Sequence, residues 1–188
     1  VRPADVKWEA IVLHTTAGGS DIETLGRWFG GENQRQGMPG STHYGVGRDG
    51  RIAQFVPLDQ QPIAHGQESA SLAKLVKDNG ALNANAWAIG IEHLDANHPG
   101  DWTDVQVEAS AQLAAWLWET EIAPHAERTG ATLDRDHILQ HKDLAPISRP
   151  RCASRSEPQM QAYIARVWEW LTPAQLPEPA PAPIDWQA

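Results

Sequence analysis

The sequence predicts an α/β protein: a single domain with a central mixed β-sheet flanked by helices. Three observations carry this. The apolar run Ala10 to His14 ends at a Thr/Gly turn and leads into a capped amphipathic stretch, which is the order strand, turn, helix. Asp49-Gly50 stands between two strand-like runs, where a hairpin needs a residue with positive φ. A hairpin set among crossover units gives a sheet with both parallel and antiparallel pairs.

Taken in order, Ala10 to His14 (AIVLH) is apolar up to its last residue and reads as a buried strand that delivers His14 to its end. Ser20-Asp-Ile-Glu23 has the form of a capping box, and Ile22, Leu25, Trp28 and Phe29 make the apolar stripe of a helix ending near Gly30-Gly31. His43 to Val46 and Ile52 to Val56 are the arms of the hairpin. Trp87 to Leu94 (WAIGIEHL) is a further strand, in which Gly90 marks either a close backbone approach or a bulge. Thr103-Asp-Val-Gln106 caps a long helix, with Val107, Ala111, Ala114, Trp118 and Ile122 at helical spacing. A last helix from Ser156 buries Met160, Tyr163, Ile164, Val167 and Leu171. From Thr172 to Pro183 the chain is mostly Pro and Ala, a composition that favours extended conformation over packing. Residues 1–171 are therefore expected to form the domain and residues 172–188 a tail or linker.

A length of 188 residues suits one compact core, and 41% hydrophobic with 21% charged residues points to neither disorder nor a fibre. The net charge of -9 repels polyanions, which argues against a nucleic-acid partner. Arg149, Arg151 and Arg155 form one short basic stretch that fits a local anion contact or a solvated loop. Val1 to Ala10 has neither a basic start nor an apolar run, and no stretch is long enough to span a bilayer, so neither a signal peptide nor membrane insertion is expected. The single cysteine excludes an intramolecular disulfide and leaves Cys152 as a buried thiol, a nucleophile or a metal ligand.

Of eight histidines, most are expected to be bystanders. His14 ends a strand before a turn, the place where open α/β sheets put their chemistry. His141 follows the apolar pair Ile138-Leu139, and Cys152 lies on the loop beyond it. A His/Cys pair on one loop with a distant His makes a three-ligand zinc site that leaves a fourth position for water; on spacing alone a buried thiol among scattered histidines fits equally well. Glu92 interrupts an apolar strand. It is either a strand-end carboxylate in solvent or a general base with a raised pKa.

Five segments occur in an ordered series: Ile11-Val-Leu-His14-Thr-Thr-Ala, Ser41-Thr-His43-Tyr-Gly-Val-Gly-Arg-Asp-Gly50, Ile63-Ala-His65-Gly, Ile89-Gly-Ile-Glu92 and Gln140-His141-Lys-Asp-Leu. From Ile11 to Cys152 the chain resembles the N-acetylmuramoyl-L-alanine amidases, the family that includes phage endolysins, bacterial anhydromuropeptide amidases and the animal peptidoglycan recognition proteins. The resemblance implies a peptidoglycan recognition protein-like fold and a Zn2+ ion held by His14, His141 and Cys152. It also implies Glu92 as catalytic base, and His43 and His65 as contacts to the substrate or to the ligands. The usual Asp-Pro-Gly or Cys-Pro-Gly ending is here Arg151-Cys152-Ala-Ser, which keeps Asp143 as an alternative third ligand. The usual Lys near that ligand is missing, so Arg149 or Arg151 takes its catalytic place. Thr42 stands where some branches carry a Tyr, which strengthens the case for Glu92. The implied activity is hydrolysis of the amide between N-acetylmuramic acid and L-alanine by a monomeric bacteriolytic enzyme with peptidoglycan as its partner. A phage endolysin of this kind waits in the host cytoplasm until lysis, then acts on the cell wall. Two other readings stay open: a peptidoglycan-binding module without catalysis, and a thiol hydrolase using Cys152 with His141 as base.

Overall fold

The computed structural model describes residues 5–16, 18–19, 21–32, 35, 37, 40–80, 82–95, 100–125 and 132–171. The expected tail and Ser20 lie outside the described residues. Strand β1 (Ala10–Thr15) leads to α1 (Ile22–Arg27), which runs on through Trp28–Glu32 until Gly31 at φ 128° breaks it. Asp21 is the cap of this helix: its carboxylate accepts from the Thr24 N–H at 2.6 Å. β2 (Tyr44–Val46) and β3 (Ile52–Gln54) form the expected antiparallel hairpin, with Gly50 at φ 83° in the turn.

Two short helices, α2 (Lys74–Asp78) and α3 (Ala84–Trp87), precede β4 (Ala88–His93). The long helix α4 (Asp104–Leu117) continues as a wider π-helical stretch, Trp118–Ile122, and Thr103 caps it by accepting from the Gln106 N–H. β5 (Ile138–Gln140) turns directly into α5 (His141–Leu144), and α6 (Glu157–Leu171) closes the domain.

The sheet has the order β3-β2-β4-β1-β5, parallel throughout except for β3. β1 lies between β4 and β5 and is buried on both faces, which is why it reads as a continuous apolar run rather than an alternating one. Its residues nevertheless divide by face. Ile11 and Leu13 join Ile89 and Ile91 of β4 in the core beneath α4 and α6. Ala10 and Val12 join Ala88, Trp87, Leu139 and Leu144 in a smaller core on the other side. By the same alternation His14 and Glu92, direct partners in the β1/β4 register, face that second side. The Gln106 side chain of α4 fixes the long helix to the sheet by donating to the Val46 and Leu94 carbonyls, both at 2.9 Å. No helix among the described residues is long and apolar enough to cross a membrane.

Candidate metal centre

Three chain segments meet at the C-terminal end of β1. β1 itself carries His14, only 3% exposed. β5 ends at Gln140, whose side chain and that of Asp143 form a reciprocal cap, so the chain turns sharply and His141 opens α5 beside β1. The returning loop is pinned by the same Gln140, which accepts from the Arg155 N–H at 2.8 Å and donates to the Arg155 carbonyl at 3.1 Å. This sets Cys152 against the strand end, where the Thr15 N–H donates to its Sγ at 3.3 Å.

One donor atom from each of His14, His141 and Cys152 lies within 4.8 Å of the other two. Cys152 Sγ is 3.8 Å from His14 Nδ1. His141 Nε2 is buried, has no hydrogen-bond partner and lies on the Gly66 side of the ring. Two imidazole nitrogens and one sulfur are a donor set that suits zinc.

The electrostatics of the two histidines agree with that set. Burial first, then the neighbouring His141, His65, His93 and Arg149, hold His14 well below the usual histidine range. Burial, then Arg149, lowers His141 to about 4. Both rings are therefore neutral at pH 7 and keep a lone pair for a metal. Burial, then Glu92, pushes the Cys152 thiol up to about 12, the reverse of what a nucleophilic cysteine needs. Glu92 is raised to about 8, by burial and then by Asp95.

The family model for N-acetylmuramoyl-L-alanine amidase matches residues 4–175. The chain belongs to that family. No curated protein matches it significantly. Among solved structures, an AmpD derivative shares the fold at 23% identity, covering 86% of this chain and 87% of that one with a TM-score of 0.59. A mutant endolysin from Bacillus subtilis does so at 20% identity, covering 88% and 94% with a TM-score of 0.56. The amidase LysC from Clostridium intestinale does so at 19% identity, covering 86% of each with a TM-score of 0.51.

Other expected residues of the amidase take distinct places. Arg149 and Arg151 are both exposed, but only Arg149 bears on the centre, where its charge acts on His14, His141 and Cys152. Asp143 is committed elsewhere: its carboxylate accepts from Arg135 and from the Gln140 N–H, both at 2.7 Å. His43 does not line a cleft. It is fully buried, accepts from the Gly90 N–H at 3.1 Å, has Nε2 3.3 Å from the Gln60 carbonyl, and meets Trp8 edge-on. His65 is equally buried and stands 2.9 Å from His14.

Two residues of the amidase that sequence reading passed over support this end of the sheet. Asp95, fully buried, accepts from the Thr15 hydroxyl at 2.7 Å and the Gly18 N–H at 3.3 Å, and so shapes the turn after β1. Glu68 accepts from the Ile147 and Ser148 N–H groups at 2.9 and 2.8 Å and steadies the loop that carries Arg149. Neither shows a local sequence signal, because each acts through a partner about eighty positions away.

Proposed function

We propose that the chain is a zinc-dependent N-acetylmuramoyl-L-alanine amidase that cleaves the amide joining the lactyl group of N-acetylmuramic acid to L-alanine of the stem peptide. The observation that carries this is the convergence of His14, His141 and Cys152, with His14 Nδ1 3.8 Å from Cys152 Sγ, at a strand end that also presents Glu92. Zinc held by His14, His141 and Cys152 would lower the pKa of a bound water to about 7 and polarise the scissile carbonyl. Beside that cation Glu92 would be ionised, and its carboxylate takes the proton of the attacking water and returns it to the departing amine. Arg149 supplies positive charge beside the developing oxyanion. Its single exposed side chain replaces a Lys with a planar group that can make two parallel hydrogen bonds.

The thiol-hydrolase reading is disfavoured by the raised Cys152 pKa, and a binding-only module would not need a complete donor set. Mass analysis of digested peptidoglycan tests the proposal. A new free L-alanine amino terminus, abolished by a chelator and restored by zinc, is the expected result. Activity that survives chelation but is lost on alkylation with iodoacetamide would sink it.

A further inference from the structure

His65, expected to contact the substrate or the ligands, touches a candidate ligand directly. Its Nε2 lies 3.1 Å from the Ala88 carbonyl oxygen and its Nδ1 lies 2.9 Å from His14 Nε2. A carbonyl only accepts, so the ring proton of a neutral His65 sits on Nε2 and its Nδ1 is a bare acceptor. His14 must then carry its own proton on Nε2 in order to donate to that acceptor. The lone pair of His14 is left on Nδ1, the nitrogen that faces Cys152 Sγ at 3.8 Å.

We infer that His65 is a positioning residue: a relay from the Ala88 carbonyl through His65 fixes His14 in the tautomer whose Nδ1 is free for the metal. The inference rests on the zinc reading above and adds to it the reason that His14 offers this nitrogen rather than the other. Three further features support the relay. The Asn85 side chain accepts from the Ala64 and His65 N–H groups at 3.0 and 2.6 Å, which holds the segment against the sheet. Gly90 leaves the slot in which the ring lies; a Cβ there would meet His65 Cε1 at 3.0 Å and Thr42 Oγ1 at 2.6 Å. The next residue, Gly66, lies against His141 Nε2. Adjacent residues of one loop thus attend to both histidines of the centre, and a neighbouring partner that orients a ligand ring typically changes metal affinity by roughly 10–100-fold when lost.

The test compares His65→Asn with His65→Phe, reading the zinc dissociation constant by chelator competition and the Tm of the metal-free proteins. Asn keeps an acceptor near the position of Nδ1, whereas Phe keeps the ring volume without one. The expected result is zinc affinity lowered by about 10–100-fold in the Phe variant and by only a few-fold in the Asn variant. Equal weakening in both, or wild-type affinity in the Phe variant, would overturn the relay. Long-range 1H–15N spectra of the metal-free wild type give a reading that needs no variant: both rings should carry the proton on Nε2, and an Nδ1-protonated His14 would overturn the inference. Failure of the zinc reading itself looks different, because the wild type would then bind no stoichiometric zinc and His14→Ala would change nothing.

Discussion

His14 and His93 lie at the ends of adjacent strands, are both buried, and are joined through the His14 carbonyl, which accepts from His93 Nδ1 at 2.9 Å. They face opposite sides of the sheet and have opposite chemistry. On the helix side, His93 stacks flat on Trp102 with 3.7 Å between ring centroids, and its Nε2 accepts from the Ser110 hydroxyl at 2.7 Å. Tyr163 then donates to the Ser110 carbonyl at 3.1 Å, so the network is satisfied from sheet to α6. On the other side, His14 has one ring nitrogen bonded to His65 and the other 3.8 Å from Cys152 Sγ, in the cluster that His141 completes. Burial and residue type do not separate a structural histidine from a candidate ligand. The unspent nitrogen does.

The contrast breaks if variants on the two sides behave alike. The largest effect is expected for His14→Ala, which should lose both stoichiometric zinc and all measurable amidase activity while the metal-free protein keeps its helical circular dichroism. Glu92→Gln should retain zinc and lose about 10²–10⁴-fold in turnover; a variant close to wild type in activity would remove Glu92 as base. Arg149→Ala should lower kcat by about 10²-fold, with Arg151→Ala unchanged, because only Arg149 acts on the centre.

The helix side should show up in stability instead. His93 is lowered to about 3 in the fold, by burial first, against about 6.5 when unfolded. The folded state therefore resists protonation. Its stability is fully present above about pH 6.5 and falls as the pH drops toward 3, at up to about 1.4 kcal/mol per pH unit for this one group. His93→Gln should remove only its own share of that acid limb in denaturant titrations of the metal-free protein, because His14, His65 and His141 are lowered too, while leaving zinc affinity within a few-fold; an unchanged limb would mean that His93 is not among the groups being protonated. The smallest effect is expected for Tyr163→Phe, a loss of about 1 kcal/mol in urea unfolding with normal activity.

What could be read in the sequence follows the same division. β1, the hairpin, β4 and the long helix announce themselves through apolar runs, an Asp-Gly turn and a Thr cap, all local signals. α2, α3 and β5 are three to five residues each, too short for periodicity to show. The first helix is capped by Asp21 where a Ser20 box was expected, since the carboxylate reaches the N–H three residues on. His14, His141 and Cys152 could be named from strand end, loop and resemblance, and the fold brings them together. Choosing Cys152 over Asp143, or Arg149 over Arg151, depended on where side chains point after folding. So did the true surroundings of His65, whose partner His14 is 51 positions away.

The pairing of His14 with Glu92 across two parallel strands makes the centre a matter of parity. Side chains alternate from face to face along a strand. An insertion or deletion of a single residue within β1 would turn His14 toward Trp102 and the helices, and bring the Ile11 and Leu13 row out to the catalytic face. Two residues would restore the face but shift the partner. The six residues from Ala10 to Thr15 therefore tolerate no change of length, because even their count decides which face carries His14.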